Sequence, residues 1–137
     1  MKALVLLAAV LTMKDLPPAV RATVESQTKG AEIKALSKET ENGRTTYEVE
    51  TIVNGKHRDL EIDSRGAVVE IEEETTAAEI PVAAKATIAR KAAGGRVVRL
   101  ETVATGGAIT AYEAEYIDKN GRQREVRVKA DGTIVPD

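Results

Sequence analysis

Apolar positions recur at two different periods along this chain, and the same order of periods occurs twice. Leu16, Ala19, Val20, Thr23 and Val24 return at helical spacing and stop at Gly30. That pattern predicts a helix entered through Pro17-Pro18, where a missing N–H costs nothing, and closed by Gly30 as its C′ residue. The period then falls to two, predicting strands over 32–40, 45–53, 56–63 and 67–72. A second pass follows: Ile80, Pro81, Ala84 and Ile88 predict another helix, stopped by Gly94-Gly95, with strands over 96–103, 109–118, 122–129 and 132–135.

Between strands the chain writes turn chemistry. Asn54-Gly55 and Asn120-Gly121 suit two-residue type I′ hairpin turns, which need φ > 0 at both central positions. Asn42-Gly43 and Gly106-Gly107 serve the preceding turn of each copy.

Aligned directly, the copies match at Leu16-Pro17 with Ile80-Pro81, Gly30 with Gly94, and Tyr47-Glu48 with Tyr112-Glu113. They match again at Asn54-Gly55-Lys56 with Asn120-Gly121-Arg122, and at Arg65-Gly66 with Asp131-Gly132. The expected organisation is a leading segment over 1–10 and two repeats, 11–74 and 75–137. Each repeat reads αββββ, giving an α+β protein whose helices pack on one face of an antiparallel sheet. One helix on four strands makes a thin core, and duplication doubles it.

Alternation assigns the faces. Leu60 and Ile62 point under the helix with Tyr47, Val49 and Val53, and Val126 and Val128 do so with Tyr112, Ala114 and Tyr116. The opposite face then shows Glu48, Glu50, His57, Asp59, Glu61, Asp63, Glu70 and Glu72 in the first copy. In the second it shows Ile109, Ala111, Glu113, Glu115, Ile117, Gln123, Glu125, Arg127 and Lys129. A slip of one residue would exchange these sets.

Composition narrows the function. The 137 residues include three Tyr but no Phe, Trp or Cys, so the core is aliphatic and thiol or disulfide chemistry is excluded. A formal charge of −2 offers no general attraction to nucleic acid. The charge is uneven: residues 11–74 carry nine Lys/Arg against fourteen Asp/Glu, whereas 75–137 carry ten against eight. Met1-Lys2 followed by ALVLLAAVL has the order of a secretory signal, too short for a membrane span, although no A-x-A site follows it. The alternative for that run is a buried first strand.

Catalytic and metal motifs are missing. His57 is the only histidine, so a zinc site would have to be built from carboxylates, and no G-x-S-x-G elbow accompanies it. Asp118-Lys119-Asn120-Gly121 opens like a calcium loop, but Lys129 stands where that loop's bidentate Glu belongs. Carboxylate pairs such as Glu48/Glu50 lie on an open face without the apolar pocket that would tune an acid. No cofactor and no enzyme activity are expected.

The ordered marks Leu16-Pro17-Pro18-Ala19-Val20, Gly30, Tyr47-Glu48-Val49, Asn54-Gly55-Lys56, Leu60-Glu61-Ile62-Asp63 and Gly66, with their second copy, resemble tandem PepSY-like domains, the β-lactamase-inhibitor-like group. The second copy departs at Ala84 and Lys129, where the first has Val20 and Asp63. The resemblance implies a periplasmic or secreted α+β protein with one curved antiparallel sheet. It also implies non-catalytic binding, in some relatives inhibition of a hydrolase or peptidase. Inhibitory faces of that kind are rich in aromatics; with three Tyr expected inward, charge-led binding fits this chain better.

The expected function is therefore an exported module that docks a protein or peptide on its charged sheet face, without nucleic acid or a membrane span. The contributing residues are Glu48, Glu50, Asp59 and Glu61 in the first copy, with Arg127 and Lys129 in the second. The alternative is cation or small-ligand sensing by the acidic face of the first copy.

Overall fold

The computed structural model describes residues 9–136. The expected signal segment over 1–10 lies outside the described residues except for its last two. The chain divides at Glu73/Glu74 into two compact units, and both are α+β.

In the first unit a two-residue strand β1 (Ala9–Val10) pairs antiparallel with β2 (Glu32–Glu41), and β3 (Arg44–Val53), β4 (Lys56–Asp63) and β5 (Val68–Thr75) follow in antiparallel order. Val10 is 87% exposed, whereas Leu11, which follows it, packs against the core of this unit; the rest of the apolar run lies outside the described residues. Helix α1 (Pro18–Gln27) lies on one face of these strands. Proline occupies both the N-cap and the first helical position, as its fixed φ allows. The helix ends earlier than the sequence predicts: Thr28 is the C-cap, and its hydroxyl donates to the Val24 carbonyl. Gly30, at φ 77°, serves the turn beyond instead of the C′ position.

The core of this unit contains Leu16, Val20, Val24, Leu36, Tyr47, Val49, Leu60 and Ile62, all buried. The expected inward set is thus observed, with Val53 half-buried at the strand end. Full burial of a side chain such as Leu60 stabilises by about 1.5–3 kcal/mol. Arg58, which faces the helix side with Leu60 and Ile62, donates to the Gln27 carbonyl at 3.1 Å, placing a cation on the C-terminal end of the α1 dipole.

The second unit repeats the plan with helix α2 (Val82–Lys91) and strands β6 (Arg96–Thr105), β7 (Ala108–Ile117) and β8 (Gln123–Val128). The fourth strand expected over 132–135 reduces to one bridge, Val128 with Ile134, and a Val135 N–H bond to the Arg127 carbonyl. Pro136 has no N–H with which to extend that ladder. Its core is Ile80, Ala84, Ile88, Ala92, Ala114, Tyr116, Val126 and Val128. Alanine fills three places here and none in the first core.

One turn departs from expectation. Asn54-Gly55 forms the two-residue type I′ connection, with φ of 51° and 79° and Val53 directly opposite Lys56. Asn120-Gly121 does not. Ile117 pairs with Gln123, leaving five connecting residues, and only Gly121 takes positive φ. Asp118 accepts from the Asn120 and Arg122 amides through Oδ1, while its carbonyl accepts from Gly121 N–H. The same turn stands at Asp63–Ala67, where Asp63 Oδ1 accepts from Arg65 and Ala67. In both places the first carboxylate takes two backbone donors, and the same backbone turn closes Lys129–Thr133 without one at its first position.

Candidate functional site

In the first unit the ladder brings six carboxylates into two cross-strand rows on the face away from α1. Glu48 stands opposite Glu61, and Glu61 opposite Glu70; Glu50 stands opposite Asp59, and Asp59 opposite Glu72. Carboxylate oxygens of Glu48, Glu50 and Asp59 lie within 4.8 Å of one another. Glu50 is exposed and Glu48, Glu61 and Glu70 are half-buried, whereas Asp59 and Glu72 keep only 8% and 7% exposure. Asp59 Oδ1 also accepts from the Thr51 amide at 3.3 Å.

At the Asn42-Gly43 end of the sheet an open cleft of about 860 Å³ is lined by Lys38, Arg44 and Arg65 together with Glu61, Asp63, Glu70 and Tyr47. Arg44 is placed there by the tight β2–β3 turn, which pairs it with Glu41.

The equivalent face of the second unit is neutralised. Arg127 Nε and Nη2 both donate to Glu113 Oε2, at 3.0 and 2.9 Å. Arg99 lies 3.0 Å from Glu115 and 3.6 Å from Glu101, and Gln123 donates to Glu115. Asp15, Asp118 and Asp131, whose carboxyls are held below the usual range, belong to caps and turns instead of these rows. The main cause is a backbone N–H, from Thr12, Arg122 and Thr133 respectively.

The structure therefore gathers Glu48, Glu50, Asp59 and Glu61 on one face, as their alternation requires. Arg127 is on its expected face but engaged with Glu113, and Lys129 is exposed in the turn after β8. Glu70 and Glu72 complete the acidic rows. The sequence put both on this face, but only the β4–β5 register sets them beside Glu61 and Asp59. His57, opposite Ile52, is half-buried and outside the carboxylate group.

The family model for the peptidase propeptide and YPEB domain, PepSY, matches residues 19–72. Those residues are PepSY-like. The match ends inside β5 and contains all six carboxylates of the two rows. No match was found among curated proteins. Among solved structures, a protein described as periplasmic from Bacteroides eggerthii is similar at a TM-score of 0.64 and 14% identity, covering 88% of this chain and 86% of that one. A DUF2874 family protein from Bacteroides uniformis is similar at 0.62 and 18% identity, covering 88% and 86%. A BLIP-like protein from Bacteroides fragilis is similar at 0.54 and 12% identity, covering 88% and 84%. At these identities the likeness concerns the fold: a PepSY-like, BLIP-like α+β arrangement. Among the described residues no helix is long and apolar enough to cross a membrane.

Proposed function

We propose that this protein is a non-catalytic, exported binding module that docks a protein or peptide, an envelope hydrolase or peptidase, on its charged sheet face. The observation that carries the reading is the pair of carboxylate rows Glu48–Glu61–Glu70 and Glu50–Asp59–Glu72 on the face away from α1. A face that gathers so many groups of one sign speeds encounter with a partner of opposite charge and selects among partners. The partner surface is accordingly basic. The description of the PepSY family as a peptidase propeptide domain supports a peptidase partner. The periplasmic description of the Bacteroides eggerthii protein and the apolar run after Lys2 support export.

The test is a pull-down from envelope extract at low and physiological salt, beside a variant carrying Glu48→Lys, Glu50→Lys and Glu61→Lys. The reading expects one enriched basic hydrolase or peptidase, captured less at higher salt and lost in the variant. Equal capture by both proteins would discard the sheet-face model.

A second reading, cation sensing, has one observation in its favour: the convergence of Glu48, Glu50 and Asp59 oxygens within 4.8 Å. Hard cations take such oxygen sets. Millimolar calcium should then raise the melting temperature of the wild type but not of a Glu48→Gln/Glu50→Gln variant; an identical melting temperature with and without calcium rejects it.

A further inference from the structure

Three Asn-Gly pairs stand in exposed turns, and the structure treats them differently. Asn42-Gly43 and Asn54-Gly55 are complete two-residue loops, with φ of 52° and 74° in one and 51° and 79° in the other. The amides of Gly43 and Gly55 make no hydrogen bond among the described residues. In the third pair, Gly121 N–H is bonded to the Asp118 carbonyl at 2.9 Å, and the Asn120 amide to Asp118 Oδ1 at 2.8 Å. None of these glycines is sterically covered: a Cβ on Gly43, Gly55 or Gly121 would meet nothing within 4 Å.

The two open loops also differ in what holds their strand ends. Asn54 follows half-buried Val53 and lies three residues from fully buried Thr51, whose hydroxyl is bonded to the Arg58 carbonyl. Asn42 caps a hairpin end of exposed residues, Thr40, Glu41 and Arg44, beyond the buried part of the ladder. Local opening is cheapest where few buried contacts must separate.

We propose that Asn42 is a site of spontaneous modification, losing its side-chain amide through ring closure with Gly43. The Gly43 nitrogen gives up its proton and attacks Asn42 Cγ. The new N–Cγ bond closes a five-membered succinimide as the Cγ–NH₂ bond breaks and ammonia leaves. Water then opens the ring at either carbonyl, leaving aspartate or isoaspartate at position 42. Glycine is the neighbour that permits this, having no Cβ to obstruct the approach. Left-handed φ does not itself bring the two atoms together, so the reaction proceeds through the frayed hairpin end, and fraying sets its rate.

Both products change the cleft that Asn42 lines with Lys38, Arg44 and Arg65. Aspartate places a carboxylate among these cations. Isoaspartate in addition inserts a backbone carbon into a two-residue loop, which cannot then keep Glu41 opposite Arg44. The first unit thereby acquires a chemical clock at the hairpin end that borders its acidic face.

The whole protein is incubated in mildly alkaline buffer, and intact amide at each Asn-Gly pair is followed by peptide mapping, with isoaspartyl methyltransferase as a second readout. Position 42 should convert several-fold faster than position 54, and position 120 slowest. In unfolding denaturant the three rates should converge, because only folding distinguishes them. An Asn42→Gln variant should lose the early methyltransferase signal while retaining the later ones. Conversion at position 120 as fast as at 42, or no difference between folded and denatured protein, overturns the proposal.

Discussion

Arg127 holds Glu113 through two donors on a single carboxylate oxygen, Nε at 3.0 Å and Nη2 at 2.9 Å, with the Glu113 side chain only 4% exposed. A cation so engaged belongs to the stability of its own sheet before it belongs to any partner. Replacing Arg127 by Met should therefore destabilise by about 3–5 kcal/mol, the range for stripping one partner from a buried pair. A companion Glu113→Gln change in the same chain should recover much of that loss. Urea unfolding of the single and double variants measures both; a neutral Arg127→Met would show the pair to be dispensable.

Each helix is tied to its Gly turn by a threonine. Thr23 Oγ1 donates to the Gly66 carbonyl at 2.5 Å, and Thr87 Oγ1 to that of Gly132 at 2.7 Å. Helix and turn approach so closely that a Cβ on Gly66 would lie 2.6 Å from the Ala19 carbonyl oxygen, and one on Gly132 2.8 Å from that of Ala83. Thr87→Val should cost about 0.5–1.5 kcal/mol, the net worth of one hydrogen bond. Gly132→Ala should cost more, about 1–3 kcal/mol, since its φ of +87° adds backbone strain to the clash. Thermal melts of the two variants should rank in that order.

Glu50 stands opposite Asp59, a like-charged cross-strand pair. Glu50→Lys converts it to an opposite-charge pair and should stabilise by roughly 0.2–1 kcal/mol. The same change should weaken capture of a basic partner. Stability and binding moving in opposite directions would mark the acidic rows as functional; a loss of both would mark them as structural.

The Asp118 carboxyl is held below its usual range, first by the Arg122 amide and further by the Arg124 side chain and the Asn120 amide. A depressed folded value stabilises the native state above the unfolded pKa of roughly 3.9, and that share is lost as pH falls through the folded value. Asp118→Ala should therefore lower the melting temperature at neutral pH, with the gap to wild type closing in strong acid. A gap independent of pH would assign the effect to turn geometry alone.

The turn at Asp118 also shows what sequence could and could not decide. Asn-Gly is a strong type I′ signal, and at Asn54 it prevails. At Asn120 it yields to Asp118, whose carboxylate captures two amides. The consequence is a register: a two-residue turn would set Glu113 opposite Val128, a polar residue against a core one. The five-residue turn sets Glu113 opposite Arg127 and Ala114 opposite Val126. Burial of Val126 and Val128 and the turn chemistry agree on the same register, which local turn preference alone did not provide.

The two helices, the strands of residues 32–75 with their helix-side faces, and the acidic opposite face of residues 11–74 were legible in the chain's own pattern, whereas the strand expected over 132–135 and the burial of Ala111 and Glu113 were not. Period and alternation are local properties of the chain, and burial follows them. The alternation already placed Glu48, Glu50, Asp59 and Glu61 together; that they form rows with Glu70 and Glu72 depended on strand register. Only tertiary structure decided the fate of the cations. Whether Arg127 meets solvent or Glu113, and whether Arg58 meets the end of α1, depends on which atoms lie across a ladder or beneath a helix. Such pairings are set by contacts between distant parts of the chain, and no local pattern encodes them.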